Sequence, residues 1–166
     1  MATNVKKMTT ETLKIQIPEG FIVESFNQTA EEFVIKISPS EKQKSVFERI
    51  KTFEDVLRDN DLTLDQFEND CAGMEVDETA FRFLKLLAKS LNEGWEPDWN
   101  DEYQWKYVPW FYMGGSSGCR FDVFACWRSS SNVGSRLCFK SKELATYAGQ
   151  QFTDQYKRFM LNTHLS

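Results

Sequence analysis

Aromatic rings beside guanidinium groups are the chemistry this chain is best equipped for. It has 14 Phe, 5 Trp and 5 Tyr in 166 residues, a high aromatic share of 14%, and all five tryptophans fall between Trp95 and Trp127. The candidate binding residues are Trp105, Tyr107, Trp110 and Tyr112, followed by Arg120 and Arg128. Three readings fit this composition. The rings fill a core and the cross-strand pairs of a small sheet, with arginines stacked on them. They form a protein interface, where Trp, Tyr and Arg dominate the energetics. Or they stack on the bases of a single-stranded nucleic acid while cationic side chains, among them Lys106, Arg136, Lys140 and Lys142, follow the phosphates.

Catalytic and metal chemistry have weaker material. The single histidine, His164, lies two residues from the end of the sequence, a poor position for a general base or ligand. Cys71, Cys119, Cys126 and Cys138 form no CxxC pair, and the spacings of the last three match no common zinc arrangement. The acidic group Glu96, Asp98, Asp101 and Glu102 could hold a cation or supply an acid and a base, but acidic loops are ordinarily just solvated. Gly114 to Gly118 is glycine-rich yet lies between strand patterns, without the helix start that a phosphate cradle needs. No cofactor motif and no metal set is present, and the balance leans away from an enzyme. The short helical segment with Asp65, Glu68 and Asp70 has the wrong charge to enter a DNA groove.

The elements that must position the aromatic residues follow from periodicity. Thr12–Ile17, Phe21–Phe26 and Phe33–Ile37 alternate as three short strands, giving an N-terminal β-meander. Short helices come next. Thr52 with Asp55, and Thr63 with Gln66, carry start signals. Asp77 is placed to cap a long helix, Glu78 to Asn92, whose Ala80, Phe83, Leu84, Leu87, Ala88 and Leu91 form one apolar stripe, with Gly94 as its stop.

Lys106–Met113, Phe121–Trp127 and Ser135–Lys140 then read as a three-stranded antiparallel meander, with Pro109 marking an edge or a bulge. In the first of these strands Trp110 and Tyr112 oppose Tyr107 and Phe111. In the second, Phe121, Val123, Ala125 and Trp127 share a face. Ser141 caps a final helix, Lys142 to Leu161, whose Ala145, Ala148, Phe152, Tyr156 and Phe159 can lie on the sheet, with Ala148 and Gly149 small enough for close approach. The fold class is α+β: an N-terminal meander, central short helices, then helix, three-stranded meander, helix. Helices on one side of such a sheet leave rings exposed on the other.

The length suits one domain, 1–166, with a sub-boundary near 39–45 separating a 1–39 β element from a 45–166 α+β core. No stretch is apolar enough for a signal core or a membrane span, which places the chain in the cytoplasm with its thiols reduced. The net charge of -5 hides an asymmetry. Residues 1–102 carry 12 Lys and Arg against 22 Asp and Glu, a difference of -10, and residues 103–166 carry 8 against 3, a difference of +5. Such a split means either a basic binding face or two halves that attract each other across the fold.

Five segments carry a resemblance. L-N-E-G-W-E-P-D-W (91–99), K-Y-V-P-W-F-Y (106–112) and V-G-S-R-L-C-F-K-S-K-E-L-A-T-Y-A-G-Q-Q-F (133–152) are joined by I-Q-I-P-E-G (15–20) and R-I-K-T-F-E-D (49–55). Together they resemble an uncharacterised family of short proteins found in gut Bacteroidales genomes, phages and prophages. The resemblance implies a phage or mobile-element accessory protein acting inside a bacterial host cell, and it brings no activity or binding residues with it. It also marks the loop from Gly114 to Cys119 as variable. The expectation is a protein that binds a protein partner without catalysis, with single-stranded nucleic-acid binding through the basic, aromatic C-terminal half as the alternative.

Overall fold

The computed structural model describes residues 14–29, 33–39, 44–114, 118–131 and 135–162. His164, and the central residues of the two loops expected at 114–118 and 129–134, lie outside them. The chain divides into two compact units, Met1–Ser45 and Val46–Ser166.

In the first unit, Pro18 and Gly20 form the turn that the sequence predicts. The Phe21 amide donates to the Pro18 carbonyl over 3.1 Å, and Gly20 takes φ +82°, where a side chain would be strained. Strand β1 (Phe21–Gln28) pairs antiparallel with β2 (Phe33–Pro39). The register skips at Glu24, which bulges, so Val23, Phe26, Phe33, Ile35 and Ile37 share a face. The expected first strand is not formed over residues 14–17, and Thr12 and Leu13 lie outside the described residues. Alternation at Leu13, Ile15 and Ile17 marks a face that could be buried. A strand also needs a backbone partner, and the described sheet of this unit pairs only β1 with β2.

The second unit is built on a long helix. Helix α1 (Val46–Arg49) is a single turn, followed by α2 (Phe53–Asp59) and α3 (Leu64–Asp70). Both of the latter carry complete capping boxes, Thr52 with Asp55 and Thr63 with Gln66. Helix α4 (Val76–Asn92) begins two residues before the expected start at Glu78, because the Glu75 amide donates to the Glu78 carboxylate over 2.9 Å and so places the cap at Glu75, two residues earlier than Asp77. Its stripe of Ala80, Phe83, Leu84, Leu87, Ala88 and Leu91 is buried, and the helix ends with Glu93 and Gly94 both at positive φ.

Strands β3 (Lys106–Tyr112) and β4 (Arg120–Trp127) form an antiparallel pair. The third strand of the expected meander is absent. Ser135–Leu137 is a 3-10 turn, after which Phe139 alone bridges Tyr107, its amide donating over 2.7 Å and its carbonyl accepting over 3.0 Å. That contact lies on the far edge of β3, so the order is Phe139, β3, β4. A meander would have put it beside β4. On the other side of the same segment, the Asn92 side chain takes up the Cys138 carbonyl and the Lys140 amide, the backbone groups that point away from β3.

The last helix is also two. Helix α5 (Lys142–Gln151) and helix α6 (Thr153–Leu161) meet at Phe152, whose backbone leaves the helical region at φ -116° and ψ 29°. The Thr153 hydroxyl donates to the Gly149 carbonyl over 2.6 Å, taking the acceptor that a continuous helix would offer to its own amide. Both pieces keep the expected face: Ala145, Ala148, Phe152 and Tyr156 are buried and Phe159 packs against the core. Helix α4 packs on α2 and α6, and α5 lies on the β3/β4 pair.

That last contact is close enough to require glycine. A Cβ at Gly149 would overlap the Phe121 ring and stand 2.8 Å from the Pro109 Cβ. In an open helix, replacing glycine with alanine gains about 1 kcal/mol. Here Gly149→Ala is expected to lose about 1–3 kcal/mol through overpacking, read as a lower urea midpoint at unchanged m-value.

Candidate aromatic sheet face

The register of β3 and β4 decides what each aromatic residue can do. Pairs run Lys106–Trp127, Tyr107–Cys126, Val108–Ala125, Pro109–Phe124 and Trp110–Val123, then skip to Phe111–Phe121 and Tyr112–Arg120. Asp122 is the extra residue of a bulge beside Trp110. Phe121 therefore does not share a face with Val123, Ala125 and Trp127 as uninterrupted alternation predicts. The bulge turns it inward beside Phe124.

The inner face holds Tyr107, Pro109, Phe111, Phe121 and Phe124. Tyr107 meets Phe124 edge-on at 5.8 Å between ring centroids, and Phe111 meets Phe121 at 6.0 Å and Tyr156 of α6 at 4.9 Å. Tyr107 is thus a core residue, half-buried and packed against the main cluster. The outer face presents Trp110, Tyr112 and Val123, 49%, 50% and 48% exposed. The Arg120 guanidinium lies over the Tyr112 ring at 4.8 Å, and Asp122 is 3.9 Å from Arg120. Trp110 has no ring or cation partner among the described residues.

Trp105 and Arg128 stand apart from this group. They stack on each other at 4.4 Å. Alternation counted back from Tyr107 places them on the inner-face side, and five residues of strand, about 16 Å, separate Trp105 from Trp110. Of the six residues singled out in the sequence, Trp110, Tyr112 and Arg120 form one patch, Trp105 and Arg128 form a second pair, and Tyr107 belongs to the core. Val123 is the patch residue that sequence reasoning left out as a binding group. Its place opposite Trp110 depends on the β3/β4 register, which no local pattern fixes.

Lys106, expected beside the rings as a surface cation, is fully buried. Its ammonium donates to the carbonyls of Asp98 and, over 3.3 Å, Asp101, and lies 5.2 Å from the Trp99 ring centroid. Two carboxylates of the acidic loop around it bond the loop's own backbone. Asp98 accepts from the Asn100 amide at 2.9 Å, and Asp101 from the Tyr103 and Gln104 amides at 2.8 and 3.2 Å. The Asp98 and Asp101 carboxylates thus hold the loop in shape.

All four cysteines are free, with Cys71, Cys119 and Cys138 buried and Cys126 exposed. Burial pushes the Cys138 thiol up to about 11, so it stays protonated and unreactive at neutral pH. Among the described residues no group of three or more His, Cys, Asp or Glu is placed to hold a metal ion, and no helix is long and apolar enough to cross a membrane. Of the ion pairs described, only that of Lys140 with Glu93, at 3.3 Å, joins a residue before 103 to one after it. Comparison with family models, curated proteins and solved structures returned no match.

Proposed function

We propose that this chain is a non-catalytic binding protein whose outer β3/β4 face docks a protein partner. The observation that carries the reading is Trp110, half-exposed at a bulge with nothing stacked on it, flanked by Val123, Tyr112 and Arg120. An exposed tryptophan ringed by partly apolar neighbours and one arginine has the composition of an interface hot spot. Its complement is an apolar pocket for the indole with a carboxylate on the rim to meet Arg120. The family resemblance sets this activity in a phage or mobile-element accessory protein working in the cytoplasm of a bacterial host.

The single-strand reading has less support. Bases need open ring faces beside a continuous line of cations. Guanidinium groups already cover faces of Tyr112 and Trp105, and Arg120 and Arg128 belong to opposite sides of the strand pair.

The test is affinity capture from host lysate with wild type and Trp110→Ala side by side. A partner held by wild type is expected to bind the variant at least about tenfold more weakly, with circular dichroism unchanged because the half-exposed indole lies on the outer face, away from the buried core. Equal recovery by both proteins would overturn the reading. So would salt-sensitive binding of a labelled single-stranded oligonucleotide that Trp110→Ala abolishes.

A further inference from the structure

A cleft of about 470 Å³ opens beside the C-terminal half of α4, away from the residues of the sheet patch. Its walls are Lys85 and Lys89 of α4, the indoles of Trp95 and Trp99 in the following loop, and Arg136 of the 3-10 turn, with Glu96 the single acidic residue. The volume falls within the ordinary range for small-molecule sites, roughly 300–1,000 Å³.

The charge and shape of this lining are selective. Lys85 and Lys89 are four residues apart and so share one helix face. Lys89 and Arg136 make no ion pair among the described residues, leaving two cations whose charge is not locally neutralised. Both indoles are half-buried, offering flat apolar walls beside those cations. Trp99 is held before any ligand arrives, because the buried Lys106 ammonium lies against its ring and anchors the Asp98 and Asp101 carbonyls of its loop. Preorganisation of this kind lowers the ordering cost of binding.

The negative end of α4 would oppose an anion. It is covered. The Asn92 carbonyl accepts from the Trp95 amide at 3.0 Å and from the Lys140 ammonium at 3.3 Å. What remains is a cationic cleft with aromatic walls, which suits a small ligand that joins an anionic group to a planar ring.

We infer that this cleft is a binding site for a nucleoside monophosphate, with its base against Trp95 or Trp99 and its phosphate between Lys89 and Arg136. The site is independent of the sheet face proposed above.

Isothermal titration with AMP, GMP, CMP and UMP tests it, with adenosine, ribose 5-phosphate and a thymidine oligonucleotide as controls. At least one mononucleotide is expected to bind at sub-millimolar concentration, with adenosine and ribose 5-phosphate weaker by about tenfold or more. The double variant K89E/R136E, both positions exposed on the surface, should weaken that mononucleotide by at least about tenfold, while Trp110→Ala leaves it unchanged. No heat with any mononucleotide at millimolar concentration overturns the inference. The same follows from equal binding by the double variant, from a control that binds as tightly as the nucleotide, or from binding by the oligonucleotide alone.

Discussion

Phe83→Ala is expected to cost the 46–166 unit about 3–5 kcal/mol, the range for deleting a buried aromatic side chain. Phe83 is fully buried on the α4 stripe. Its ring stacks on Phe53 of α2 at 4.3 Å between centroids and 5° between planes, and meets Phe152, where α5 gives way to α6, at 5.9 Å. Phe53 in turn meets Phe67 of α3 edge-on at 5.4 Å. The ring therefore joins α4 to α2 and to the junction that α5 and α6 share, and through Phe53 to α3. The cavity left by alanine cannot be filled by moving a single neighbour, since each neighbour is fixed by another. Small domains have about 5–15 kcal/mol in total, so the variant should lose a large part of its folding free energy. Urea unfolding followed by circular dichroism checks this. Phe83→Leu, which retains more of the volume, should lose less. A loss under about 1 kcal/mol for Phe83→Ala would mean that this ring cluster does not organise the core.

Phe83 also shows which features were legible in the sequence. Its place in a stripe with Ala80, Leu84, Leu87 and Leu91 is a local, periodic signal, and the caps at Thr52, Thr63 and Ser141 are local too. Such signals depend on residues three or four apart, which the chain itself holds together. The errors lie where a distant partner decides. The Asp122 bulge turns Phe121 inward, and nothing in the residues 121–127 distinguishes that from plain alternation. Lys106 looks like any surface lysine until the Asp98 and Asp101 carbonyls close over it. Ser135–Lys140 has strand composition, but its backbone partners are Tyr107 and Asn92, not β4.

The same distinction governs the candidate site. That Trp110 and Tyr112 oppose Tyr107 and Phe111 follows from the two-residue period of a strand, and the structure assigns the second pair to the core. Which residues cross from β4 to complete the exposed face depends on register, and register is not a local property. Trp105 and Arg128 are adjacent for a reason that is visible only once Lys106 is paired with Trp127. An aromatic count over the segment therefore overstates the size of the patch, while strand parity identifies its centre.

Asn92→Ala is expected to lose about 2–4 kcal/mol although it removes only one small amide. Asn92 is buried at the end of α4, where its side-chain nitrogen donates to the Cys138 carbonyl over 2.9 Å and its oxygen accepts from the Lys140 amide over 3.0 Å. These are the two backbone groups that point away from β3, while the groups of Phe139 point toward it and pair with Tyr107. The amide thus acts as one residue of a neighbouring strand and fastens the helix to the segment. Alanine leaves an acceptor and a donor without partners, and each unpaired buried group costs about 1–3 kcal/mol, less where water reaches the exposed Lys140. Asn92→Asp separates the two bonds: it keeps the acceptor for Lys140 and sets a carboxylate oxygen against the Cys138 carbonyl, so it should be no better than alanine at neutral pH. Hydrogen exchange supplies the local readout. The Lys140 amide should exchange faster in both Asn92→Ala, which removes its acceptor, and Asn92→Asp, which loosens the segment, while amides in α2 keep their protection relative to global unfolding. Unchanged exchange at Lys140 in Asn92→Ala would show that the helix end does not hold this segment.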